Sequence, residues 1–584
     1  MVKMPYNSGL SNSFRQLPRG LKLSVIITIY ALLIIPTLNH LGIGWDETTD
    51  LWISRTYLSW NGLLFGLPRD LSQTRLPMFV VALVFYLLGT SSLLIARFVS
   101  MVVGALTLLG VYVYGRDQFS HKTGLLAAGL LAINPFFLSF ARLAFTESDI
   151  YLACTLIWLL VVVSRLQRAK SLGYAALSGI VLGLSISAKA TALVILPALF
   201  VAFLLWHVSE KTVDLTKNLI PARTVYLLTG AGIVMLMVGV LLSRYLNAAD
   251  FGRLYHLLNY VLVCLGWMGL LGWAVRYRNH TVHPISLFIY LTALGLLTFV
   301  IFPPDHLVNS SIIQKLFARA ETEMTFSFAF IGELAALHFF TIFLKSTPLL
   351  GFGLLAGFAA SVTQWRRHEL TLPLLFVVIY GLVLLLLPLA QTFYTIPLLP
   401  ILSVLAADQW LRLHDQRQKL AMALTIPALI LWAVEMKQCY PDYHLNGYQW
   451  LGERPFLGRS SIGYRSIVYV PSDGVEQVME WLNVNAQAGQ VAQLYVEPWH
   501  IVNYIAPNPV YELTDGFEES LAANPDFVVV HIGALIWQGE GSDNPQGSIF
   551  RHRFNPGTLL NEYEQVFVVR RAFDLEVASI WQRK

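Results

Sequence analysis

Apolar runs close to membrane-spanning length recur from residue 22 to residue 435, and the loops between them alternate in charge. A bilayer core takes a helix of roughly 20 predominantly apolar residues. By that measure runs fall at 22–41, 93–114, 123–140, 149–164, 172–188, 191–207, 224–243, 256–275, 284–302, 347–364, 371–389, 394–411 and 420–435. The chain is therefore expected to hold about thirteen transmembrane helices. Every second loop is basic: Arg116 and Lys122; Arg165, Arg168 and Lys170; Lys211, Lys217 and Arg223; Arg276 and Arg278; Arg366 and Arg367; Arg412, Arg417 and Lys419. The intervening loops hold most of the acids: Asp46, Glu47, Asp50, Asp70, Glu147, Asp149, Asp250, Asp305, Glu321 and Glu323. Basic loops stay on the cytoplasmic side. The N-terminus, with Arg15, Arg19 and Lys22 ahead of the first run, is expected there. That run is too long for a signal peptide and no small-residue cleavage site follows it, so it reads as an uncleaved helix.

Composition agrees. The 584 residues are 56% hydrophobic and 13% charged, against about 25% charged in soluble domains. The net charge of +5 is spread over short clusters between apolar runs, which excludes a nucleic-acid surface as the main use of the basic residues. Cys154, Cys264 and Cys439 build no disulfide framework and show no zinc spacing. Two apolar stretches are set apart. Residues 76–89 are too short to span upright, and residues 326–343 carry Glu333 and His338. Counting either alone would invert the later loops, so both are expected at the outer face as interfacial or re-entrant helices.

An odd number of spans puts the remainder outside. The chain divides into a membrane part, 1–435, and a small α/β soluble domain on the outer face, 436–584. The second part has short strand-like runs (SIVYV, VAQLYV, FVVVHI, EQVFVV, VASIW) and one helix pattern, SDGVEQVMEWLNVNA, with Ser472 or Asp473 as its cap. The protein is thus expected to be a multi-pass protein of the plasma (inner) membrane.

The candidate chemistry lies in the outer loops. Asp46 and Glu47 are adjacent acids just after the first run, and a carboxylate near the interface is partly desolvated and a better base. The stretch RLAFTESDIYLA, 142–153, brings Arg142, Glu147 and Asp149 to the next outer loop. Lys189, in the turn between the fifth and sixth runs, and Lys345, before the tenth, either snorkel to the interface or hold a lipid-linked phosphate. Arg97, inside an apolar stretch, needs a carboxylate or a phosphate as partner. Glu333 and His338 read better as interfacial polar residues than as a metal pair. No phosphate-binding loop, nucleotide fingerprint or nucleophile elbow is present. A donor arriving by diffusion within the membrane fits this better than a nucleotide sugar.

Taken in order, these motifs resemble the GT-C membrane glycosyltransferases. They are the acid pair after helix one, Arg-x-x-x-Thr-acid (Arg142, Thr146, Glu147), the lysine after helix five and Lys-x-x-Pro at Lys345. The set is most similar to the bacterial branch of the protein O-mannosyltransferase superfamily, which includes the lipid A aminoarabinose transferases. The resemblance spans about residues 20–435. It implies inverting transfer of one sugar from a polyprenyl-phosphate donor to a lipid, glycan or protein hydroxyl on the outer face. It matches Asp46, Glu47 and Glu147 to the family's loop acids; catalysis is expected there, with Asp46 as the base, because one carboxylate opposite the leaving phosphate suffices for inversion. Substrate binding falls to Arg97, Arg142, Asp149, Lys189, Lys345 and Tyr394. It implies no required metal, with a divalent cation left open. This chain departs from many relatives at Thr48, Thr49 and Asp50, at Arg75–Met78, and at Phe393 and Tyr394 before TIPLLP. Those departures bear on the sugar and acceptor more than on the reaction. The competing readings are a transporter of lipid-linked glycans, which would place charges near the bilayer centre within inverted repeats, and a non-catalytic glycan-binding protein.

Overall fold

The computed structural model describes residues 19–39, 45–59, 62–63, 76–144, 149–210, 252–278, 282–303, 328–386, 392–443, 474–495, 509–515, 524–531, 562–571 and 576–584, with a few positions between 227 and 234. Among the described residues the membrane part has sixteen α-helices: α1 Arg19–Ile34, α2 Trp45–Thr56, α3 Leu76–Leu88, α4 Leu93–Gln118, α5 His121–Ala132, α6 Pro135–Ala141, α7 Asp149–Ala169, α8 Leu172–Ala188, α9 Ile195–Glu210, α10 Gly252–Arg276, α11 Pro284–Ile301, α12 Phe328–Phe340, α13 Pro348–Val362, α14 His368–Leu386, α15 Leu399–Gln416 and α16 Gln418–Cys439.

Local chemistry sets several starts. Ser92 accepts from the Ile95 amide, Ser120 from that of Thr123 and Ser171 from that of Tyr174, so α4, α5 and α8 each begin behind a serine cap. Among the described residues eight helices are long and apolar enough to cross a membrane, or nine if α5 and α6 count as one. The remaining expected runs form that bent pair or shorter apolar helices, or lie largely outside the described residues. The run 123–140 is not straight: α5 and α6 meet at 69°. Asn134 caps α6 by accepting from the Phe136 and Phe137 amides, and Pro135 fills the first helical position. The runs near 172–188, 256–275 and 347–364 form shorter apolar helices. For example, α8 stops where Lys189 turns extended, and α13 starts only after Thr347, whose φ is +67°. Most of the run 224–243 lies outside the described residues. The two stretches set apart are helical, as α3 and as α12 with a π turn at Thr341–Lys345.

The helices sort their charges to two ends. Helix α4 carries Arg97 near its start and Arg116 near its end; α7 carries Asp149 at its start and Arg168 in its last turn. In each helix the two charges are about nineteen residues apart, or about 28 Å. At the far end, Asp117 is held by Arg116 and Arg165, and Asp408 by Arg367 and Arg412. Between the two ends the packing is apolar. Helices α8 and α11 approach so closely that a Cβ at Gly183 would lie 2.4 Å from the Gly295 carbonyl oxygen and from the Thr298 Cβ. Glycine there is a steric requirement of the contact.

Among the described residues the C-terminal part has a helix, α17 Val475–Asn485, and five strands: β1 Val491–Tyr495, β2 Glu512–Asp515, β3 Phe527–His531, β4 Tyr563–Arg570 and β5 Glu576–Arg583. The strand order is β2-β1-β3-β5-β4. Strand β1 runs parallel to β2 and β3, and β5 runs antiparallel to β3 and β4. Val475, Val478, Met479 and Leu482 are the buried stripe of α17, and its Trp481 ring meets Phe527 and Phe567. Helix α17 is capped by Gly474, at φ +88°, without a side-chain cap bond. Ser472 and Asp473, expected as caps, lie outside the described residues, as does the SIVYV run.

Candidate active site

Two ion pairs stand at the end of the spans opposite the arginine clusters. The first joins α2 to α4. Arg97 Nε donates to Glu47 Oε1 at 2.9 Å and Nη2 to Oε2 at 2.6 Å, a two-pronged pair with side chains 3% and 0% exposed. Arg97 Nη1 also donates to the Leu38 carbonyl at 2.7 Å, and the Ala144 amide donates to Glu47 Oε1 at 2.7 Å. The arginine that needed a partner thus has a carboxylate. Glu47 in turn fixes the chain between α6 and α7 against the first turn of α2.

The second pair joins α7 to α8. Lys189 Nζ donates to Asp149 Oδ2 at 2.7 Å. The same ammonium lies over the rings of Phe393 and Tyr394, 4.8 and 4.3 Å from their centroids. Asp149 opens α7, where the helix dipole favours negative charge. Its Oδ1 has no hydrogen-bond partner among the described residues. Tyr380 donates to the Tyr394 carbonyl at 3.2 Å and so ties the aromatic segment to α14. Lys189, Asp149 and Tyr394, three of the six expected substrate residues, are thereby brought together.

Arg142 sits just past α6, 1% exposed. Its Nη1 donates to the Pro441 carbonyl and its guanidinium lies 5.1 Å from the Tyr443 ring centroid. Lys345 is buried in the π turn, beside Ser346, whose hydroxyl accepts from Asn134 Nδ2 at 3.0 Å. Lys345 and Arg142 both lie within electrostatic range of Cys439 in the last turn of α16. The side chain of Asp46, all of Thr146 and Glu147, and the side chain of Glu333 lie outside the described residues. His338 is buried. Among the described residues no group of three or more His, Cys, Asp or Glu side chains is placed to hold a metal ion.

The C-terminal part also reaches this end. Glu476, in the first turn of α17, is within electrostatic range of Arg97 and Glu47. Its carboxyl is pushed above the ordinary value of 4.5, first by burial, then by Glu480; Arg97 pulls it down and Glu47 pushes it up. A raised carboxyl pKa in the folded state means that the fold binds this proton more tightly than the unfolded chain does. The resulting stability is complete below the unfolded value and is lost as pH rises through the folded one. Glu476→Gln is therefore expected to raise the melting temperature at about pH 7.5 and to leave it unchanged at about pH 4. An equal shift at both values would refute this.

Sequence reasoning missed Tyr443, the Ala144 amide and Glu476. Only Glu476 had a local signal, an acid in the first turn of an amphipathic helix.

Residues 72–243 match the family model for dolichyl-phosphate-mannose-protein mannosyltransferases. The resemblance drawn from the loop motifs to GT-C mannosyltransferases holds over this segment. It contains Arg97, Arg142, Glu147, Asp149 and Lys189, while Asp46 and Glu47 precede it. Among solved structures, the chain is similar to the Archaeoglobus fulgidus oligosaccharyltransferase in complex with Zn and sulfate: 14% identity, 90% of this chain and 70% of that one, TM-score 0.47. The same organism's AglB, in complex with an inhibitory peptide and a dolichol-phosphate, matches at 13% identity over 98% of this chain and 75% of that one, TM-score 0.46. ArnT from Cupriavidus metallidurans bound to undecaprenyl phosphate matches at 12% identity over 98% of both chains, TM-score 0.31. No curated protein matches in sequence.

Proposed function

We propose that this protein is an inverting glycosyltransferase that moves a single sugar from a polyprenyl-phosphate donor to a hydroxyl of a lipid, glycan or protein acceptor. The donor is a hexosyl or pentosyl phosphate lipid, and the reaction takes place on the outer face of the plasma membrane. The N-terminus is cytoplasmic and the domain 436–584 extracytoplasmic, as the basic loops support. The observation that carries the reading is the Lys189 ammonium, held by Asp149 on two aromatic faces at a membrane-end helix break. Such a fixed cation suits a phosphate leaving from the lipid side.

The acceptor oxygen attacks the anomeric carbon as the sugar–phosphate C–O bond breaks. Asp46 takes the hydroxyl proton, and the bonding pair goes to the phosphate oxygen, leaving polyprenyl phosphate. Lys189 and Lys345 balance the charge that develops there. Glu147 orients the acceptor. Glu47, already committed to Arg97 and the Ala144 amide, is a positioning residue for the turn that bears Asp46. Glu47 is paired with Arg97 and Asp149 with Lys189, and turnover is proposed to need no metal.

The test is release of free polyprenyl phosphate from a panel of polyprenyl-phosphate sugars by purified protein, with cell-extract acceptors, in EDTA and with divalent cations added. Release with one donor in EDTA is expected. No release from folded protein under any of these conditions would overturn the reading, and release only with cations would overturn its metal-free form.

A further inference from the structure

We infer that Arg142 and Tyr443 form a clasp that positions the catalytic carboxylates from the exit of the last helix. Its catalytic consequence rests on the transferase reading. Beyond Cys439, residues 440–443 pack against the membrane part. Tyr443 is fully buried, and its hydroxyl donates to the Leu33 carbonyl at the end of α1 at 3.0 Å. Its ring lies against the Arg142 guanidinium, which also takes the Pro441 carbonyl. Two residues further on, the Ala144 amide holds Glu47 Oε1. Glu47 holds Arg97, and Arg97 holds the Leu38 carbonyl, a few residues beyond Leu33.

These contacts close a ring. The segment after α16, the segment after α6, the first turn of α2, the start of α4 and the end of α1 are each bonded to the next. Arg142 has its guanidinium face and one nitrogen committed within the protein. The sequence motif would place this arginine on the substrate; the geometry points to a positioning residue that acts through Ala144 and Glu47. The junction to the C-terminal domain is thereby coupled to the turn that carries Asp46. Separation in sequence hides the link, because Arg142 and Tyr443 lie on either side of the ten described helices α7 to α16.

The test uses the full-length protein with Arg142→Met and Tyr443→Phe. The second variant keeps the ring and removes only the bond to Leu33, so it folds even if the first does not. Hydrogen exchange of the peptide containing Ala144 is measured without substrate, because local opening exposes an amide held only by a side chain. Steady-state kinetics with the donor identified by the release assay follow. Faster exchange at Ala144 in both variants, kcat lowered about tenfold or more in Arg142→Met and donor KM unchanged is the expected result. Unchanged exchange in both variants would overturn the clasp. Raised donor KM with unchanged kcat would make Arg142 a donor ligand and also overturn it. If wild-type protein turns over no donor yet the exchange coupling holds, the transferase reading fails and the clasp stands.

Discussion

Arg97→Met is expected to destabilise the protein by about 3–5 kcal/mol, because it leaves the Glu47 carboxylate buried without its cation. Both side chains are nearly inaccessible, so water cannot replace the guanidinium. Three of its donors are lost at once, two to Glu47 and one to the Leu38 carbonyl. The double replacement Arg97→Met with Glu47→Leu should recover much of that stability, since no buried charge remains. It should not recover turnover, because nothing then holds the Ala144 amide against α2. Thermal or denaturant unfolding of the single and double variants in one detergent separates these effects. A loss below about 1 kcal/mol for Arg97→Met would place the pair with surface salt bridges and remove its positioning role.

Asp46→Asn is expected to lower kcat by about 10²–10⁴, the usual worth of a positioned general base, with little change in melting temperature. Asparagine keeps the size and cannot accept the acceptor proton. Glu47→Gln, the neighbouring isostere, should instead lower stability, because it turns a charged two-pronged pair into a neutral contact with a buried arginine. The two variants thus separate along different axes, one in turnover and the other in unfolding. If Asp46→Asn retains wild-type turnover with the cognate donor, the proton goes elsewhere, and Glu147 becomes the base to test.

Much of this arrangement was legible because membrane solvation is strict. Apolar windows located the helices, and the arginines at their ends marked the face opposite the site. Arg97 announced a need for a partner, since a lone guanidinium in an apolar run is costly. That the partner is Glu47 was not legible, because pairing across fifty residues depends on how α2 lies against α4. The break at Asn134–Pro135 did have a local signal, a cap residue followed by proline, but an apolar window averages over it. Strands β1, β3, β4 and β5 showed as β-branched and aromatic runs, whereas β2 reads Glu-Leu-Thr-Asp and looks like a turn. Tyr443 had no sequence signal at all. A tyrosine after the last span is ordinary, and only packing shows that it lies beneath Arg142.

Helices α4 and α7 act together as a calliper on the lipid. Their charges define two parallel planes about 28 Å apart, close to the thickness of a bilayer's hydrocarbon core, about 30 Å. In the proposed topology the arginine plane lies in one headgroup layer, so the other plane sets the depth at which Lys189 and Glu47 sit. In a thicker bilayer Lys189 and Glu47 would be drawn below the headgroups, and in a thinner one lifted away from the proposed lipid-tethered phosphate. The length of two helices, more than any side chain, thus sets how well the protein matches the membrane from which the proposed donor would arrive.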